Sequence, residues 1–168
     1  MEYLWSPWRM EYIEGETKEN ECVFCIAPSQ TDFRDHLIVF RSERTYLILN
    51  RYPYTSGHLM VVPYAHQPSL ELLDNQTRAE IMDLASRAIL VLREAYQPEG
   101  FNVGINIGAA AGAGIVEHVH LHIVPRWTGD TNFMSSLSHT RVLPESLEDT
   151  YQRILAGWQK LENQSPQT

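Results

Sequence analysis

Positive charge is scarce in this chain. Its 168 residues hold 13 Lys and Arg against 21 Asp and Glu, a formal net charge of −8. Duplex nucleic acid is bound through many basic contacts to phosphate, so this balance argues against that partner. A small anionic ligand stays compatible if its site is locally positive. No apolar run approaches bilayer-spanning length, so no membrane partner is expected. The start, Met1-Glu2-Tyr3-Leu4-Trp5, lacks a basic region followed by an apolar run. No signal peptide is read there, and the expected location is the cytoplasm. Cysteine is nearly absent: Cys22 and Cys25 are the only two. The glycine-rich stretch Gly100 to Gly114 lacks the Gly-Lys-Ser/Thr of a Walker loop. A strand of histidines follows it rather than a helix, which excludes a Rossmann fingerprint.

What is present is concentrated in one stretch, Glu117-His118-Val119-His120-Leu121-His122-Ile123-Val124-Pro125-Arg126-Trp127. Histidine alternates with an aliphatic residue at period two, the period of a strand. His118, His120 and His122 then share one face, and Val119, Leu121 and Ile123 point into a core. Clustered titratable groups mark functional sites more often than packing. Two chemistries compete for them: metal ligation, or attack on phosphorus by a neutral imidazole. The flanks favour the second. Upstream, Gly112-Ala113-Gly114 lets backbone N–H groups approach an anion closely. Downstream, Arg126 can bind phosphate. Trp127 reads either as a base-stacking ring or as a core or dimer contact.

Cys22-Val23-Phe24-Cys25 reads as a metal site before a disulfide, and Ile26-Ala27-Pro28-Ser29 does not continue it as a redox motif. Two cysteines need two more ligands for a tetrahedral zinc, and His66 and His118 are the candidates. The alternative is a pair of free thiols packed under the N-terminal arm.

The remaining chain reads as α+β. Runs at His36 to Phe40 and Thr45 to Leu49 form a hairpin. A turn-rich loop, Asn50 to Gly57, leads into a strand from His58 to Pro63. Ser69 to Leu73 reads as a short helix. Asp74 to Tyr96 is the long helix, opened by a Thr77-x-x-Glu80 capping box or by Asp74 one turn earlier. Phe101 to Ile107 is a strand with Phe101, Val103, Ile105 and Ile107 opposite Asn102, Gly104 and Asn106. Pro144 to Leu161 forms a C-terminal helix. Residues 1–21 read as an aromatic arm and loop, and 162–168 as a flexible tail. One domain over 1–168 is expected, with no repeat or linker.

The sequence His118-Val119-His120-Leu121-His122-Ile123-Val124 resembles the motif of the histidine triad (HIT) family. Asn50 to Pro63 is similar to that family's first nucleotide-binding segment. Gly100 to Phe133, with Leu4-Trp5-Ser6-Pro7-Trp8-Arg9-Met10, resembles its bacterial diadenosine tetraphosphate phosphorylase branch. The resemblance implies a sheet of about five antiparallel strands, a homodimer, and a nucleotidyl-histidine mechanism with His120 as nucleophile and His122 and His118 as further catalytic residues. It implies phosphate or nucleotide contacts from His122, His58, Asn50, Asn106 and the Gly112, Ala113 and Gly114 amides. It also implies a structural zinc on Cys22, Cys25, His66 and His118, and no organic cofactor is expected. The implied substrate is a small nucleotide such as diadenosine tetraphosphate, AMP or ADP. With inorganic phosphate as acceptor the products are ADP and ATP. With water the chain is a hydrolase of dinucleoside polyphosphates or phosphoramidates. One departure stands out: many members carry Ser or Gln where this chain has Gly114, so a side-chain donor is missing there. Two readings of other classes are a nucleotide-binding scaffold with little turnover and a metalloenzyme using the histidines as ligands.

Overall fold

A computed structural model describes residues 22–29, 37–130 and 144–164. The expected aromatic arm, 1–21, lies outside these residues. Five strands build one antiparallel sheet: β1 (Ile38–Arg41), β2 (Thr45–Leu49), β3 (Leu59–Pro63), β4 (Gly100–Ile105) and β5 (Leu121–Arg126). Their spatial order is β1-β2-β3-β5-β4, with β5 inserted between β3 and β4. The helices are α1 (Val23–Ile26), α2 (Asn75–Tyr96) and α3 (Leu147–Gln164). The α+β architecture and the five-stranded antiparallel sheet agree with expectation.

Helix α2 begins where a short polar residue can take its orphan N–H groups. Asp74 does so, accepting from the Thr77 backbone N–H at 2.9 Å. Glu80 is no capping-box partner. It accepts from the Arg44 N–H at 3.0 Å and the Thr45 hydroxyl at 2.8 Å, and so ties α2 to the β1–β2 turn. The helix ends at Gln97, which takes the left-handed conformation before Pro98. Ile81, Leu84, Ala88 and Leu92 bury one stripe against the sheet, as their spacing predicts. Helix α3 packs beside α2 and sets Tyr151, Ile154 and Trp158 into the same core. Each such large apolar side chain is worth roughly 1.5–3 kcal/mol when buried. The helix runs through Gln164, past the point where a tail was expected. Glu162 pairs with Arg87 of α2 at 3.5 Å, which extends the contact by one turn.

Two strands differ from the sequence reading. The ladder of β5 starts at Leu121, so His118 to His120 precede it. Their backbone is spoken for elsewhere: the Val119 N–H donates to Gln67 C=O at 2.7 Å. Strand β4 ends at Ile105 rather than Ile107 and forms a sheet edge. Val103 therefore stays 42% exposed although it alternates as a core residue.

Cross-strand register fixes where the chemistry sits. Ile48, Met60, His122 and Gly104 are successive partners across β2, β3, β5 and β4. Side chains in such a row share a face. This face is opposite the one that Leu47, Val61 and Leu121 present to the helices.

Candidate active site

A cavity of about 190 Å³ opens on that face. Ile48 and Met60 form its floor, and His120 and His122 lie along it with Gly112 and Gly114. Sites that bury a whole drug-sized ligand measure roughly 300–1,000 Å³. This cavity lies below that range.

The protonation of His120 follows from its backbone neighbour. Its Nδ1 lies 2.8 Å from the His118 carbonyl oxygen, which can only accept. Nδ1 carries the proton, and Nε2 keeps its lone pair. Burial pushes the pKa of His120 down, against a smaller opposing effect of that hydrogen bond, so the ring is held neutral. A neutral imidazole with one nitrogen anchored and the other unprotonated is a nucleophile.

His122 receives the opposite tautomer, through His58. The Tyr54 backbone N–H donates to His58 Nδ1 at 3.1 Å, and the Asn50 amide stands 3.3 Å from the same atom. Asn50 is oriented by its own oxygen, which accepts from the Tyr52 N–H at 2.9 Å. His58 Nδ1 is thus an acceptor, and the neutral ring carries its proton on Nε2. That proton points to His122 Nδ1 at 2.9 Å. The proton of His122 is left on Nε2. Tyr54 stacks along this pair, its ring centroid 4.6 Å from His58 and 6.1 Å from His122.

The third histidine turns away from the cavity. His118 Nε2 donates to the Pro63 carbonyl at 2.8 Å, which frees Nδ1 to act as a ligand. That atom lies 3.4 Å from Cys22 Sγ, 3.6 Å from Cys25 Sγ and 3.3 Å from His66 Nδ1. Cys25 Sγ is 3.2 Å from His66 Nδ1. All four donor atoms lie within 4.8 Å of one another, and together they could hold a metal ion. Desolvation and the adjacent Cys22 push the Cys25 thiol up to about 11. A bound cation reverses that and draws out the thiolate.

Not every expected residue reaches the cavity. Asn50, Gly112, Gly114, His120 and His122 line it. His58 is fully buried behind His122, and His118 belongs to the cysteine cluster. Arg126 is held away by a two-pronged ion pair with Asp130 at 2.5 and 2.7 Å and by Asn102 at 2.6 Å. Trp127 packs edge-on against Tyr96 at 6.5 Å. Asn106 and Ala113 are also outside the lining. Sequence reasoning missed Val23 and Phe24 on one wall and Arg51, Tyr52 and Tyr54 at the mouth. The signal for the first pair was their place between the two cysteines. For the others it was their position in the Asn50 to Gly57 loop.

A five-stranded antiparallel sheet carrying alternate histidines beside a cavity defines a class of protein, and the comparisons agree. The HIT domain model matches residues 33–129, more than half of the sequence, and the chain belongs to the HIT domain family. It is 38% identical over 165 residues to the AP-4-A phosphorylase of Mycobacterium tuberculosis, covering 94% of this chain and 85% of that protein. Among solved structures it is similar to a Zn-bound histidine triad family protein from Mycobacterium smegmatis. That match has a TM-score of 0.69 at 31% identity, over 86% of this chain and 97% of the other. It is also similar to a hypothetical histidine triad nucleotide-binding protein from Sulfolobus tokodaii, with a TM-score of 0.67 at 27% identity over 84% and 94% of the two chains.

Proposed function

We propose that this chain is a nucleotidyl-transferring enzyme, a diadenosine tetraphosphate phosphorylase that works through a covalent nucleotidyl-His120 intermediate. The observation that carries the reading is the anchored, neutral His120, with its Nδ1–H hydrogen-bonded to the His118 carbonyl and its ring lining a cavity of about 190 Å³. The relationship to an AP-4-A phosphorylase supports the same substrate class.

In the first step Nε2 of His120 bonds to the α-phosphorus, and the bridging P–O bond breaks to release ATP. The Nδ1 hydrogen bond to the His118 carbonyl stabilises the cationic ring that results. The Nε2–H of His122 donates to the transferring phosphoryl group, together with backbone amides near Gly112 and Gly114. In the second step an oxygen of inorganic phosphate bonds to phosphorus, the P–N bond breaks, and ADP leaves. Because position 114 is glycine, donors in that loop are backbone groups alone. Water as acceptor would give AMP instead.

The cysteine cluster is read as a structural zinc site. A tetrahedral zinc with Zn–N of about 2.05 Å and Zn–S of about 2.3 Å sets N···N at about 3.3 Å and S···N at about 3.6 Å. The distances from His118 to the other three donors and between Cys25 and His66, 3.2 to 3.6 Å, lie close to these values, and all four donors lie within 4.8 Å of one another. When bound, zinc stabilises the fold by cross-linking Cys22, Cys25, His66 and His118. A cytoplasmic location is part of the same reading. A homodimer joined through β4 is part of this reading. That strand is a sheet edge; Val103 on it and Ile107 just beyond its end are 42% and 43% exposed. The whole chain is taken as one HIT domain.

Product analysis tests the activity. Diadenosine tetraphosphate is incubated with the enzyme, with and without inorganic phosphate. Phosphate-dependent ADP plus ATP is expected. AMP plus ATP regardless of phosphate makes the chain a hydrolase, and binding without turnover makes it a scaffold.

A further inference from the structure

The Cys22-Val23-Phe24-Cys25 turn belongs to two sites at once. Its ends, Cys22 and Cys25, stand in the donor cluster with His66 and His118. Its middle, Val23 and Phe24, is a wall of the cavity. The Phe24 ring is 5% exposed and lies 5.5 Å from the His118 ring and 4.8 Å from the His120 ring.

Helix α1 is four residues long. Isolated helices shorter than about 12 residues do not persist in water, so its position is set by anchors. Among the described residues, hydrogen bonds to the sheet strands come from the Tyr46 hydroxyl, to Phe24 C=O at 2.7 Å, and from Arg41, to Pro28 C=O at 3.4 Å. The two sulfurs give this segment further polar links, to His118 and His66. His118 gives a second connection. Its side chain is in the donor cluster, and its carbonyl fixes His120.

We infer that metal and nucleotide are coupled ligands of this chain, joined through Val23 and Phe24. A metal ion that clamps both ends of the turn holds the cavity wall in its binding position. A nucleotide pressed against that wall holds the ends in their metal-binding position. Linkage makes the effect reciprocal: each ligand tightens the other by the same factor, expected to be about tenfold. The inference rests on the proposed nucleotide and zinc sites.

The test uses the full zinc-loaded chain, with AMP as nucleotide. AMP affinity is first measured by calorimetry. Zinc affinity is then measured by equilibrium competition with a chromophoric chelator, with and without saturating AMP. AMP is expected to raise zinc affinity by about tenfold. Phe24→Leu keeps all four ligands and an apolar core, and it is expected to bind one zinc yet lose most of the AMP effect. A reciprocal arm compares AMP affinity before and after zinc removal, with folding followed by circular dichroism. Equal zinc affinities with and without bound AMP overturn the coupling while leaving the nucleotide site intact. An undiminished effect in Phe24→Leu overturns the route through the turn. Failure of AMP to bind the loaded protein overturns the nucleotide site itself, and the coupling with it.

Discussion

His120 and His122 stand two residues apart and hold opposite tautomers. The cause is their neighbours: a carbonyl faces His120 Nδ1, whereas a ring N–H faces His122 Nδ1. His58 acts through His122 and is a positioning residue. Replacing it with Leu removes the donor to His122 Nδ1. It is expected to mix the His122 tautomers and to lower kcat by about 10²-fold. His58→Gln can accept from the Tyr54 N–H and donate to His122, so most activity should return. Long-range ¹H–¹⁵N correlation spectra of the imidazoles check the tautomer directly. An unchanged His122 spectrum in His58→Leu would remove this role. Sequence alone reached the triplet because its spacing is local. It could not reach the tautomers of His122 and His118, since the first depends on the His58 ring and the second on the Pro63 carbonyl, 64 and 55 positions away. Arg126 illustrates the converse. Its charge is legible, but its capture by Asp130 and Asn102 is visible only in three dimensions.

The elements that hold these side chains depend on a few backbone positions. The loop from Asn50 carries Tyr54 and His58 and closes at Gly57, whose φ is +78°. A Cβ there would stand 3.0 Å from Leu92 Cδ2 and 3.2 Å from Tyr96 Cε2. The left-handed conformation costs a non-glycine residue about 1–2 kcal/mol before any such crowding. Gly57→Ala is therefore expected to lower stability by about 2–3 kcal/mol in urea titrations. A loss under ~0.5 kcal/mol would mean that the loop adjusts freely. Helices α2 and α3 were legible because apolar residues recur at three and four over many turns. The ends of β4 and β5 were not, because a ladder stops where its partner's hydrogen bonds are diverted. For β5 that diversion runs through Gln67, far from the strand in sequence.

Across the whole molecule, sheet order decides what the surface offers. Alternation in β4 promised two sorted faces, yet only the order β1-β2-β3-β5-β4 makes that strand an edge. Exposed edges pair with other chains unless they are blocked, and lysine blocks them. Val103→Lys is expected to convert the proposed dimer to monomers in sedimentation velocity while leaving the far-UV circular dichroism unchanged. A monomeric parent protein would contradict the proposed interface. The metal cluster likewise joins segments remote in sequence, Cys22 and His118 being 96 positions apart. The cysteine spacing announced ligands, but not that the residues between them form a wall of the cavity.

The central claim is that His120 carries the nucleotide. It is tested most directly by mixing the enzyme with diadenosine tetraphosphate in the absence of phosphate and quenching in alkali, where a P–N bond survives. Mass spectrometry of the digested protein then reads the site of modification. The account predicts one adenylyl group per chain, on His120, formed with an equivalent burst of ATP and discharged to ADP when phosphate is added. It also predicts that His120→Ala forms no adduct and loses at least about 10³-fold in turnover. Near-full turnover by His120→Ala, or an adenylyl group found on another residue, would contradict it.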